Sequence, residues 1–203
     1  MAAPVLSTGK STGRPTLSRR LKLLYSTGDL TTSIPMTIVM FFRFVFLTDI
    51  AGLGPAAAGW VVLAGRLWDA VNDPLIGQWT DRIRSPLGRR RVLLIAGALP
   101  LGVFYAMMWV VPAFGPESSK LALAIYFAVT FIAFDTTYTI VHIGYNALTP
   151  QLTQDYDERS NLNGYRMAYG IGGTLGALIF KTVLGWYIAD EDTVYRMLGF
   201  GLA

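Results

Sequence analysis

The chain has 203 residues, of which 53% are apolar and 15% charged, with no cysteine and a formal net charge of +4. So apolar a composition excludes an ordinary soluble domain and indicates a membrane protein, and the missing cysteines exclude a disulfide scaffold or a thiolate metal site. The excess positive charge does not indicate a nucleic-acid partner, because its distribution follows loop topology.

Residues 1–20 are polar and lack the apolar stretch of a cleavable secretory signal, so insertion is expected to depend on the first membrane helix. A bilayer-spanning helix needs roughly 20 mostly apolar residues. Spans are predicted over about residues 21–47, 55–79, 92–111, 121–148 and 163–188, with a sixth beginning near Thr193. Only about eleven residues of that sixth helix are present, too few to cross the hydrocarbon, so the chain is expected to be cut rather than finished. The expected fold class is all-α, a polytopic membrane helical bundle of one six-helix unit.

Lys10, Arg14, Arg19, Arg20 and Lys22 precede the first span, and Arg82, Arg84, Arg89, Arg90 and Arg91 follow the second. The positive-inside rule then puts the N-terminus and this loop in the cytoplasm, with the weakly charged connections at 48–54 and 112–120 outside.

Ionisable residues within a span are costly and most often serve a cavity or a partner. In the second span Asp69, Asn72 and Asp73 share one helical face, and their oxygens can replace the hydration shell of a small cation. Arg66, one turn earlier, can neutralise a carboxylate when that site is empty; the bland alternative is a packing charge pair. Pro74 is expected to bend the helix just after Asp73. In the fourth span Asp135, Tyr138, Thr139, His142 and Asn146 form a polar stripe that implies a wet cavity. His142, the only histidine, is equally open to a packing role. Asp29 in the first span is a third acidic candidate for the cavity. Arg43 and Lys181 are expected to snorkel to an interface.

The fifth span carries Gly170, Gly172, Gly173 and Gly176, including a Gly-x-x-x-Gly pair that suits close helix contact. Gly9-Lys10-Ser11-Thr12 mimics the end of a phosphate-binding loop, but the first glycine of that motif is replaced by Pro4 and no strand precedes it, so ATP binding is rejected.

Two blocks resemble the glycoside, pentoside and hexuronide:cation symporters of the major-facilitator superfamily. Arg66-Leu67-Trp68-Asp69-Ala70-Val71-Asn72-Asp73-Pro74-Leu75-Ile76-Gly77 is similar to that family's R-x-W-D-A-x-N-D-P-x-x-G signature, followed by Asp81, Arg82, Ser85, Gly88 and Arg89. The run from Ala147 to Arg159, closed by Tyr165-Arg166, resembles its A-L-x-P-E-L-T-x-D-x-x-E-R loop, and Thr27-Gly28-Asp29 with Thr48-Asp49 matches two smaller marks. The resemblance implies the N-terminal six-helix half of a major-facilitator fold, its sixth helix truncated and its C-terminal six-helix half missing. It implies a coupling cation, Na⁺, Li⁺ or H⁺, at Asp69, Asn72, Asp73 and Thr139, with no other metal or cofactor. It further implies a substrate cavity to which Tyr138, Asn146 and Arg166 contribute, beside Asp29. The two galactoside-binding acids of melibiose permease correspond to Ser33 and His142 and its sugar-stacking tryptophan to Asn146, so melibiose is not expected as the solute. Asp81 and Arg89 would gate the cytoplasmic side.

The expected function is therefore not enzymatic: cation-coupled symport of a sugar or glycoside by alternating access, in the cytoplasmic membrane with the N-terminus inside. The nearest alternative is the same scaffold carrying a non-sugar solute such as a lysolipid or drug. An intramembrane aspartyl protease is a remote one, since its Gly-x-Gly-Asp motif is broken by Ser26 before Thr27-Gly28-Asp29.

Overall fold

A computed structural model describes residues 17–83, 89–112, 119–188 and 190–202. The side chains of Asp81 and Arg89, assigned to gating above, lie outside the described residues, as do residues 84–88 and 1–16.

Helix α1 (Arg19–Val45) starts where the Ser18 hydroxyl accepts a hydrogen bond from the Leu21 amide at 3.3 Å, and it runs into a π-helical segment (Phe46–Ile50). Gly52, at φ +68°, is the one described residue with positive φ, and it lets the chain reverse before α2 (Pro55–Arg82), which opens on a proline whose missing N–H costs nothing there. The helix continues through Pro74. Then come α3 (Arg89–Met107), α4 (Lys120–Asn146), the single turn α5 (Thr149–Leu152), α6 (Tyr156–Tyr187) and α7 (Glu191–Gly201).

Two boundaries differ from the sequence expectation for identifiable reasons. The third helix ends at Met107 rather than near Val111, because Val111 precedes Pro112 and the helical region is disfavoured there. The fifth long helix begins at Tyr156 rather than Asn163, since the Asp155 carboxylate accepts from the amides of Asp157 at 3.0 Å and Glu158 at 3.2 Å. Its first two turns are polar, so apolar patterning alone places the start too late.

Among the described residues, four stretches are long and apolar enough to cross a membrane: Arg19–Ile50, Arg90–Met107, Lys120–Leu152 and Tyr156–Tyr187. Helix α2 has 28 residues, but its charged and amide side chains lower its apolarity below theirs. Large apolar side chains including Leu24, Trp60, Leu99, Ile179 and Trp186 point outward. In water so much exposed apolar surface would be a liability, whereas lipid covers it without cost.

Helix α1 packs along α6, and α4 lies against both α2 and α3. A Cβ at Gly173 would sit 3.1 Å from Leu30 Cδ2, and one at Gly170 would sit 3.4 Å from Ser33 Oγ, so these two glycines admit α1. Gly172 and Gly176, the Gly-x-x-x-Gly pair expected to make close helix contact, face open space instead. The contact face of α6 is fixed by which side α1 occupies, which spacing does not reveal.

One end of the bundle is tied by aromatic rings. Trp109, fully buried, stacks on Tyr195 at 5.5 Å between centroids, and Phe46 meets Trp109, Phe127 and Tyr195 edge-on at 5.2 to 5.8 Å. The cluster joins the π segment to α4, α7 and the end of α3.

Two basic residues expected at an interface are held inside. Arg43 is only 6% exposed, with its guanidinium carbon 3.6 Å from the centre of the Phe131 ring. An edge of that ring occupies the space over Gly65, where an added Cβ would lie 2.0 Å from Phe131 Cε1. Lys181 is half-buried, its ammonium 5.1 Å from the Phe42 ring and 5.7 Å from Tyr195. The aromatic faces provide inside the bundle what snorkelling would otherwise seek at the interface. Replacing Gly65 by valine is expected to destabilise the bundle by about 2 kcal/mol through overpacking against Phe131. Thermal unfolding in detergent should show a lowered midpoint, while the same change at Gly172 should leave it nearly unmoved.

Candidate cation and solute sites

The packing of α2 on α4 brings two polar stripes together. Asn72, 1% exposed, donates from Nδ2 to Thr139 Oγ1 at 3.2 Å and to Asp135 Oδ2 at 3.4 Å, and Thr139 Oγ1 donates to Asp73 Oδ1 at 3.1 Å. One turn away, Trp68 Nε1 donates to Thr136 Oγ1 at 2.9 Å, which fixes the rotation of α2 against α4. Asp69, Asp73, Asp135, Tyr138, Thr139 and His142 line a cavity of about 250 Å³, to which Met36 of α1 also contributes. Arg66 reaches Asp69 at 4.0 Å, both side chains being about half exposed.

Three carboxylates around one small cavity repel one another, and the repulsion is strong where water is scarce. Among the described residues no three acidic or imidazole side chains converge to hold a metal ion between them alone. A cation here would draw on the mixed oxygens of Asp69, Asp73, Asn72 and Thr139, an all-oxygen donor set suited to a hard, weakly held ion. The Asn72 amide nitrogen is turned toward Asp135 and Thr139.

The six residues expected around a solute divide into separate groups. Tyr138 and His142 line the acidic cavity and stack on each other, with ring centres 5.5 Å apart and planes 14° from parallel, and the buried His142 Nδ1 has no partner among the described residues. Ser33 lies in the α1–α6 contact against Gly170 and Gly173. Asp29, Asn146 and Arg166 form a second polar network. Arg166 grips Asp29 with two bonds, Nε to Oδ2 at 2.8 Å and Nη2 to Oδ1 at 3.0 Å, and also donates to Asn146 Oδ1 at 2.6 Å and Thr149 Oγ1 at 3.0 Å. The Tyr145 hydroxyl, 2.7 Å from Asp29 Oδ2, completes the set, and its ring lies under the guanidinium at 4.7 Å. Gly28 admits that ring, since a Cβ there would come within 2.5 Å of Tyr145 Cε2. Beyond it, Lys22 bonds Glu158 and Asn161, each at 2.8 Å, so α1, α4, α5 and α6 are latched at one end.

Asp135 belongs by spacing to the polar stripe and not to the expected cation ligands. Its four-residue spacing from Thr139 was the available signal; its bond to Asn72 depends on helix packing. Tyr145 and Thr149 carried no sequence signal for their latch roles.

An acidic cavity between α2 and α4 and a charged latch tying α1, α4 and α6 are thus set within one apolar helical bundle. Residues 24–203 match the family model described as MFS/sugar transport protein. The chain is 40% identical over 84% of its length to an uncharacterized symporter of Synechocystis sp., of which it covers 32%. It is 31% identical over 94% of its length to sodium-dependent lysophosphatidylcholine symporter 1 of Xenopus tropicalis, covering 35% of that protein. It is 30% identical over 87% of its length to a glucuronide carrier protein homolog of Escherichia coli, covering 37%. The chain thus spans about a third of the length of these relatives. It belongs to the MFS/sugar transport family and is a multi-pass membrane protein.

Asp29 and Arg166 are 14–15% exposed, so removing one charge strands the other. Asp29→Asn is expected to cost about 3 kcal/mol, and Asp29→Asn with Arg166→Gln less than the sum of the single changes. Thermal unfolding of the four proteins in a double-mutant cycle measures the coupling, and additive losses would contradict the latch.

Proposed function

We propose that this chain is part of a secondary active transporter that couples uptake of a sugar or glycoside to Na⁺, Li⁺ or H⁺ by alternating access. The observation that carries the proposal is that Asn72, Thr139 and Asp73 are bonded across α2 and α4 beside a cavity lined by Asp69, Asp73 and Thr139. Asp69 and Asp73 supply the charge, Asn72 and Thr139 the neutral oxygens, and Arg66 restrains Asp69 when no cation is bound. Tyr138 and His142 stand in the same cavity, where a solute would contact them directly. Asn146 and Arg166 would join the solute only after the latch to Asp29 opens. A second six-helix unit would complete the cavity and rock against this one. The positive charge before α1 and after α2 favours the cytoplasmic membrane with the N-terminus inside. The protein is then a transporter and not an enzyme, and its solute is a small molecule rather than a nucleic acid.

A second solute class, lysolipids, is favoured by the similarity to a lysophosphatidylcholine symporter at an identity comparable to that of the glucuronide carrier homolog. Competition of labelled glycoside uptake by lysophosphatidylcholine, in vesicles containing the full chain, separates the two.

Asp69→Asn and Asp73→Asn are each expected to reduce gradient-driven accumulation at least tenfold while leaving some counterflow. Undiminished accumulation in both variants, across Na⁺ and H⁺ gradients, would remove the cation site.

A further inference from the structure

The cation cluster has a neighbour that neither the motif nor the stripe explains. Arg43 of α1 is over nine-tenths buried, its face rests on Phe131, and its Nη1 has no hydrogen-bond partner among the described residues. Asp135 lies one helical turn from Phe131 on α4, and Arg66 adjoins Gly65, the residue that receives the Phe131 edge on α2. Through Phe131, Arg43 thus sits close in the fold to residues of the acidic cavity and its Arg66 partner, without a hydrogen bond from Nη1 to any carboxylate.

A guanidinium stays charged in any protein setting, and a buried one in a membrane span is retained at a cost. Here the aromatic face of Phe131 offsets part of that cost. The consequence is electrostatic. Asp69, Asp73 and Asp135 contribute three negative charges, Arg66 and Arg43 two positive ones, leaving a net charge of −1. The other ionic groups nearby, Asp29 and Arg166, cancel each other in the latch, and Tyr138 and His142 add no fixed charge.

The geometry points to Arg43 as the built-in counter-charge of the cation site. It restricts the site to what one monovalent cation neutralises, which keeps binding weak enough for release and disfavours divalent ions. Without it the cavity would carry −2, hold a monovalent ion more tightly and admit a divalent one. This role rests on the cation-coupled reading of Asp69 and Asp73, and the experiment below separates failure of one from failure of the other.

Binding of ²²Na⁺ to the full chain in proteoliposomes at neutral pH, with Ca²⁺ as competitor and Asp73→Asn as the site control, provides the test. Arg43→Met is expected to tighten Na⁺ binding about tenfold, the effect of removing one unit charge several ångströms away in a medium of intermediate dielectric. It should also make Na⁺ binding sensitive to Ca²⁺. Arg43→Gln, which fills the same space with a polar head, carries the same expectation if the methionine variant does not insert. Arg43→Lys, which keeps the charge while losing the planar stack, should retain the original constant and the indifference to Ca²⁺. A purely structural Arg43 would weaken binding in all three variants, and that result overturns the role. An unchanged constant in Arg43→Met and Arg43→Gln, with binding still abolished by Asp73→Asn, overturns it alone. Absence of any Na⁺ binding sensitive to Asp73→Asn overturns both this role and the cation site.

Discussion

The arrangement of polar groups in this bundle depends on one side chain, the amide of Asn72. Fully enclosed between α2 and α4, it donates to both Thr139 and Asp135, and through Thr139 it is linked to Asp73. An amide has both donors and an acceptor, so it can satisfy oxygens on the facing helix and still present its own carbonyl to a third party. Neither a carboxylate nor an aliphatic residue can do both. In hydrocarbon surroundings an unsatisfied polar group is expensive, which fixes the register of α2 on α4 as firmly as apolar packing would. The Trp68–Thr136 bond one turn away locks the same register.

That register accounts for the two small-residue contacts that set the surroundings of the cavity. Gly65 must be bare because Phe131 projects from α4 toward α2, and Phe131 in turn supplies the shelf on which Arg43 lies. Around the latch the logic recurs: Gly28 is bare because the Tyr145 ring presses on α1, and Tyr145 lies beneath the guanidinium of Arg166. In each case a glycine, an aromatic ring and an arginine are layered across a helix contact. The layering lets a cation remain inside an apolar bundle without a direct carboxylate at Arg43, and with a bidentate one at Arg166.

The sequence made some of these features legible and hid others. The all-α membrane bundle followed from apolar runs of sufficient length, and the shared face of Asp69, Asn72 and Asp73 followed from helical spacing alone. Spacing also drew Asp135, Tyr138, Thr139, His142 and Asn146 into one stripe, yet the stripe serves two networks: its first four residues line the cavity, whereas Asn146 belongs to the latch. The division arises because a 27-residue helix is long enough to meet different partners at different depths. Arg43 was unreadable for another reason. An arginine near a helix end has the reach to leave the membrane, and only the position of Phe131, 88 residues later in the chain, turns it inward. Likewise the pair Gly172–Gly176 had the contact spacing, but α1 lies on the side of α6 that presents Gly170 and Gly173.

Helix α4 links the two networks physically. It carries Asp135 and Thr139 toward Asn72 and Asp73 of α2 and Tyr145 and Asn146 toward the Asp29–Arg166 latch, with His142 between them. Under the proposed symport, a cation bound by Asp69, Asp73 and Thr139 draws α2 and α4 together, and any solute that engages Arg166 must compete with Asp29 for the same guanidinium. Both events act on one rigid element, so each changes the free energy of the other, and the coupling must be equal in both directions. A latch with a bidentate ion pair, three further hydrogen-bonding partners and two stacked rings is costly to open. Opening it requires compensating interactions, which a solute alone would have to supply in full. A cation that preorganises α4 lowers that requirement, and this is the physical content of coupling in a bundle whose two polar centres share a helix.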